Sequence, residues 1–204
     1  MEDDWKNSKF EKMTKKQWRA HMLDALDTAK FNLVNNPDNF MPVAFMQTPE
    51  MGLSVVAVQN ADKYTATEVV CYMAYEHKAH CVGTIMDSWY LSKEHFNAED
   101  GQYDTAATWE ELGTVPPSQH PDGKMALIMW GAAGVEQFME MVPYHINSHG
   151  KVVFEKKTED MTTFDGPNDG KLGGKIPVFY NELWNRTYRE LMKKVGVNDP
   201  DFTE

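Results

Sequence analysis

Apolar residues recur at helical spacing from Trp18 through Met22, Ala25, Leu26 and Ala29 to Leu33. That period predicts an amphipathic helix. Lys15, Lys16, Arg19, Asp24, Asp27 and Lys30 fall mostly off the stripe. The start is marked by Thr14-Lys15-Lys16-Gln17, a capping box in which the threonine hydroxyl accepts from the backbone three residues on and the glutamine reaches back. Met13 and Trp18 sit at the staple positions around it. Asn35-Asn36-Pro37 stops the helix. Residues 1–12 are polar with scattered aromatics and are expected to be loosely ordered.

The pattern then shortens. Met41–Gln47 and Leu53–Gln59 read as strands, and Thr48–Gly52 between them carries the Pro and Gly of a turn, which suits an antiparallel hairpin. Val55–Val58 is nearly continuous apolar, so the second strand is expected to be covered on both faces. Thr65-Ala66-Thr67-Glu68 is a second capping box, with Tyr64 and Val69 as its staple. Ala66, Val70, Met73 and His77 then share one helical face, and the helix is expected to end near Ala79. Cys81–Leu91 alternates as a central strand does. Residues 92–124 are long, polar and rich in Gly, Pro, Asp and Glu, with a short helix expected around Thr105–Leu112. Strands are predicted at Met125–Trp130, Val135–Val142 and Val152–Lys156. Residues 158–180 read as a Gly/Asp-rich loop. A last helix is expected over Glu182–Val195, with Lys193 and Lys194 in its final turn and Gly196 as its stop.

Helices and strands do not alternate, so a doubly wound parallel sheet is not expected. The order predicts a single α+β domain over residues 1–204. It has one antiparallel or mixed sheet of about five to six strands, two long helices on one face and a C-terminal helix. Strand 135–142 or 152–156 is expected at a sheet edge, where self-association is plausible physics.

Charge narrows the partners. The formal net charge is -11 and no basic stripe is visible, so direct nucleic-acid or membrane binding is not expected. The two cysteines, Cys71 and Cys81, are too few for a disulfide scaffold and read as free thiols in a reducing, cytoplasmic compartment. The N-terminal residues lack the pattern of a signal peptide. No apolar run approaches the ~20 residues of a membrane span.

The order of elements, with Asp87-Ser88-Trp89 in a strand and Pro117-Ser118-Gln119-His120-Pro121-Asp122-Gly123-Lys124-Met125 leading into the next, resembles a family of uncharacterised small α+β proteins from phages and bacteria. Those proteins carry a Ser-Glu-Ala-Trp-like strand motif and a Pro-Ser-x-His-Pro-Asp-Arg-like loop. Here Asp stands in place of Glu, and Gly123-Lys124 in place of Arg. The resemblance covers roughly residues 14–155. It implies the element order and a viral or bacterial setting (host cytoplasm or virion), and no activity or cofactor.

Three polar groups are candidates for chemistry. His77 and His80 lie three apart and would converge on a metal if both sat on one helix face, with Cys81 beside them. The plain reading is one partly buried His, one exposed His and a core thiol, since His-Glu-x-x-His is missing. Asp87 sits mid-strand among apolar residues, either as a buried anchor for the 117–122 loop or as a base or metal ligand. His120 and Asp122 are two apart in a Pro-stiffened loop and could join Asp87 or Glu94 in hydrolysis. The same residues also make an ordinary turn. Tyr103 and Trp109 on the long loop are candidate contact anchors. No nucleophile elbow, Walker loop or dinucleotide fingerprint occurs. The expected function is therefore a non-catalytic binding or assembly protein with a protein partner or self-association and no cofactor. The alternatives are a metal-dependent hydrolase using the His/Asp cluster, and an acidic nucleic-acid mimic that inhibits a DNA-binding enzyme.

Overall fold

Thr14 caps the first helix, α1 (Lys15–Asn35), by the predicted box: its hydroxyl accepts from the Gln17 backbone N–H, and the Gln17 side chain accepts from the Thr14 backbone N–H. Trp18, Met22, Leu26, Ala29 and Leu33 are its buried stripe, as the period requires. A computed structural model describes residues 5–57, 63–90, 115, 117–134, 136–156 and 164–167. The predicted short helix at 105–112 and the last helix at 182–195 lie outside the described residues, as do Tyr103 and Trp109.

A 3-10 turn (Pro37–Asn39) leads into strands β1 (Val43–Thr48) and β2 (Gly52–Ala57). Helix α2 (Lys63–Glu76) precedes β3 (Cys81–Tyr90). Then follow β4 (Lys124–Ala133), β5 (Glu136–Ile146), β6 (Val152–Phe154) and β7 (Phe164–Pro167). The sheet runs β2-β1-β3-β4-β5-β6, with β7 also on β5. Every pairing among the described residues is antiparallel. The α+β class and the hairpin are therefore as the sequence predicts.

Neighbouring residues on a strand point to opposite faces, and two apolar clusters follow that parity. Phe45, Cys81, Ile85, Leu127, Met129 and Phe138 pack with the α1 stripe. Ala44, Met46, Val82, Trp130 and Ala132 pack instead with Val70, Cys71 and Ala74 of α2. The helices thus lie on opposite faces, which corrects the expectation of both on one. The strand pattern explains it: β1 and β3 are apolar at odd and even positions alike, so each face needs a cover.

Further expectations change. The buried side of α2 is Val70, Cys71 and Ala74, while His77 is exposed. The strand β2 is not covered on both faces, since Leu53 and Val55 are exposed. The expectation of an edge at 135–142 or 152–156 is met by the second, since β6 ends the sheet order, while β5 is partnered by β6 at residues 144–146 and by β7 at 136–139. The 158–180 segment contains a strand, β7, that adds to the sheet. The segment 5–12 is also not loose, because Trp5 is buried and the Ser8 hydroxyl donates to the Pro49 carbonyl at 2.7 Å.

Basic residues at a helix N-terminus oppose the helix dipole, and α1 opens with Lys15 and Lys16. Carboxylates from elsewhere offset this. Lys15 Nζ lies 2.6 Å from both Glu136 of β5 and Asp165 of β7, and Arg19 also pairs with Asp165. These contacts tie the last described strand back to the first helix.

Candidate functional site

The densest polar construction lies at the start of β3, where the N-terminal segment crosses the end of the sheet. Gln47 is the last-but-one residue of β1 and is buried. Its Nε2 donates to the Glu11 carbonyl at 2.7 Å, and its Oε1 accepts from the Met13 N–H at 2.9 Å. Its own carbonyl accepts from the His80 N–H at 2.8 Å. The His80 Nε2 is 3.1 Å from the Met13 carbonyl, and the Trp5 ring meets the imidazole edge-on. An acceptor carbonyl at Nε2 fits the tautomer protonated there. Burial and the nearby Lys12 charge hold the His80 pKa below the ordinary imidazole value, against the opposing pull of the Met13 carbonyl. Gly52, in the left-handed region at φ +71, leaves room for the Phe10 ring, which a β-carbon would meet at 2.8 Å. Residues 5–13 are therefore a clasp over the hairpin turn and the β3 start.

Beside this clasp is a shallow cleft of about 510 Å³ lined by Asn7, Ser8, Pro49, Glu50, Glu76, His77 and Lys78. His77 belongs to that cleft, and His80 belongs to the clasp. Helix α2 ends at Glu76, and Lys78 takes a positive φ of 53. The turn that follows breaks the helical register on which convergence of the two imidazoles depended. Among the described residues, no group of three or more His, Cys, Asp or Glu side chains is arranged to hold a metal ion.

The other candidates lie at the far end of the same ladder. Asp87 is exposed, not buried. Its charge acts on Tyr144, whose phenol is pushed up to about 12 by burial first and then by Asp87. His120 and Asp122 occupy the turn before β4: the Asp122 N–H donates to His120 Nδ1 at 3.1 Å, and the Gly123 N–H donates to the His120 carbonyl at 2.9 Å. That is the ordinary-turn reading. Cys81 pairs with Ala133 at one end of the β3–β4 ladder and Tyr90 with Lys124 at the other. At 3.3–3.4 Å per residue, His80 and Asp87 are about 23 Å apart along β3. The structure does not bring His80 together with Asp87, since Asp87 lies seven residues further along the strand. Cys71 and Cys81 are buried free thiols pushed up to about 12 by burial, far from the thiolate a nucleophile needs.

A different surface was missed by the sequence reading. Strand β2 is the outermost on its side of the sheet, and nothing among the described residues pairs with its outer side. Leu53 (41% exposed) and Val55 (61%) are exposed at alternate positions along it, and Met51 (47%) is exposed in the turn before it. Gly52–Ala57 contains no charged residue and no proline. The alternation was legible, but the apolar run at 55–58 pointed to burial.

No family model, curated protein or solved structure matches the chain. No helix among the described residues is long and apolar enough to cross a membrane.

Proposed function

We propose that the chain is a non-catalytic binding or assembly protein acting in a cytoplasmic setting, phage-encoded or bacterial. The observation that carries this reading is the β2 edge, with Leu53 and Val55 exposed on a strand without charge and Met51 exposed in the turn before it. Natural sheets blunt their edges with lysine, proline, bulges or short strands. An unblunted apolar edge is the physical description of a strand that takes a partner. The separation of Asp87 from His80 along the β3 ladder supports the same reading, because hydrolysis needs such groups within hydrogen-bond reach of one substrate.

In this proposal the loops 92–124 and 158–180 add contacts, with Tyr103 and Trp109 as aromatic anchors, and the helix predicted at 182–195 packs on the sheet. The test is light scattering over a range of concentrations, run beside capture from a host lysate by the immobilised full chain. Concentration-dependent mass, or a stoichiometric complex lost on Val55→Lys, is the expected result. A strict monomer that captures nothing overturns the reading.

A further inference from the structure

The two edges of the sheet are built differently. On one side β6 is three residues long. Lys151 precedes it, and Glu155 and Lys156 follow it. β7 covers residues 136–139 of β5 on that side, with Asp165 paired to Lys15 and Arg19. These are the devices that keep an edge from pairing. On the other side β2 has none of them, and its six residues are Gly, Leu, Ser, Val, Val and Ala.

Charge limits what can sit there. The chain carries a formal net charge of -11, so a foreign partner drawn by its field would be basic. The strip Met51–Ala57 offers no carboxylate to meet one. A second copy of the chain carries the same -11, which weakens association until salt screens it, but it presents the same neutral strip, and joining two such strips buries no charge on either side. We infer that β2 pairs antiparallel with β2 of a second copy across a two-fold axis through Ser54, making one continuous sheet. The inference rests on the reading of the chain as a binding or assembly protein and names its partner.

The register follows from the side chains. An axis at Ser54 sets Leu53 opposite Val55 of the second copy and Val55 opposite its Leu53. In an antiparallel pair, opposed residues lie on one face. Leu53 and Val55 share the face of Phe45, since Val55 pairs with Phe45 and Leu53 with Gln47. Four exposed apolar side chains thus close into one patch, and the two Ser54 residues meet on the other face. Such an isologous joint closes on itself and does not propagate into fibres. A joint of two six-residue strands is small beside the about 1,600 Å² of a stable interface. The dimer is accordingly expected to dissociate in the micromolar range.

The experiment is sedimentation or light scattering of the full chain across that range, with Val55→Lys, Leu53→Lys and Ser54→Cys. Both lysine variants replace exposed side chains, so folding is checked by circular dichroism and is expected to be unchanged. The inference expects a monomer–dimer equilibrium whose Kd rises at least ~10-fold in either lysine variant, from lost apolar pairs counted twice. It also expects Ser54→Cys to form a dimer disulfide on mild oxidation, since opposed β-carbons lie within about 4.5–5.5 Å. A dimer indifferent to both lysines overturns β2 pairing and leaves an assembly reading standing. A monomer that holds a foreign protein in a Val55-dependent way overturns self-pairing alone. A monomer that holds nothing overturns both.

Discussion

Gly83 of β3 and Gly131 of β4 stand directly opposite each other beneath α1. A β-carbon on Gly83 would fall 2.6 Å from Met22 Cε, and one on Gly131 would fall 2.4 Å from Phe138 Cζ. The pair is the hollow into which the α1 methionine and the β5 phenylalanine settle. Neither glycine has a positive φ, so space is the reason for glycine at both.

Gly131→Ala is therefore expected to lower stability by about 1–3 kcal/mol, the usual cost of overpacking. Gly83→Ala should cost less in so far as the flexible Met22 side chain yields, although the Trp130 carbonyl at 3.0 Å resists. Denaturant melts of the singles and of Gly131→Ala/Phe138→Leu check this. The double variant should be more stable than the sum of its singles, because a smaller side chain at 138 makes room for the new methyl.

The N-terminal clasp predicts an acid-sensitive local stability. His80 is held below its ordinary pKa in the folded chain, so the fold prefers it neutral. Stability is full above the ordinary imidazole value of about 6.5. As pH falls below that value the unfolded chain takes a proton that the folded chain refuses, and stability declines until pH drops below the folded pKa. Hydrogen exchange at Met13 and its neighbours should quicken over that window. His80→Asn should remove the component of pH dependence that belongs to this site.

Gln47 anchors the same segment by two side-chain bonds. Gln47→Leu keeps the volume and strands the Met13 N–H and the Glu11 carbonyl. The expected loss is about 1–3 kcal/mol, concentrated in residues 5–13, with the β3–β4 ladder still protected. Limited proteolysis after Lys9 or Lys12 reads it directly. Unchanged cleavage in the variant would show that Trp5 and Phe10 alone hold the segment.

Much of this fold could be read from spacing, and what failed failed for physical reasons. The α1 cap and stripe were legible because Thr14, Gln17, Trp18 and Leu33 act through contacts within a few turns. All six strands from Val43 to Phe154 were legible as alternation or apolar runs. The placement of α2 was not, since which face a helix covers depends on pairing between segments far apart in sequence. The plain reading of His77 and His80, one exposed and one partly buried, matches the structure, because the helix ends at Glu76 and the turn at Lys78 breaks the register that convergence needed. Asp87 misled because Ile85 and Trp89, on its face, suggested a buried strand, yet the strand leaves the core after Met86. β7 escaped notice because Phe164-Asp165-Gly166-Pro167 has turn composition, while its pairing with β5 and the contacts of Asp165 with Lys15 and Arg19 come from segments far away in sequence.

Asp165 gives the last prediction, and its sign is fixed by its partners. The hydrogen bond from Lys15, with the Arg19 and Lys15 charges, holds its carboxyl below the usual carboxylate range, against the opposing effect of burial. A carboxyl depressed in the fold adds stability that is present above the unfolded value of about 3.9 and is lost as pH falls through the folded value. The side chains involved are about a third exposed, so solvent screens the pair and the global loss in Asp165→Asn should be about 1 kcal/mol or less. The local effect is larger than the global one. With Asp165 neutral, Lys15 and Arg19 at the N-terminus of α1 keep only Glu136 as a nearby counter-charge among the described partners. Hydrogen exchange of the Phe164–Gly166 amides should then rise several-fold in Asp165→Asn at neutral pH. Wild-type protein should approach the same exchange only in acid. Added salt should narrow the difference between the two, because the contact is partly exposed and ions screen it.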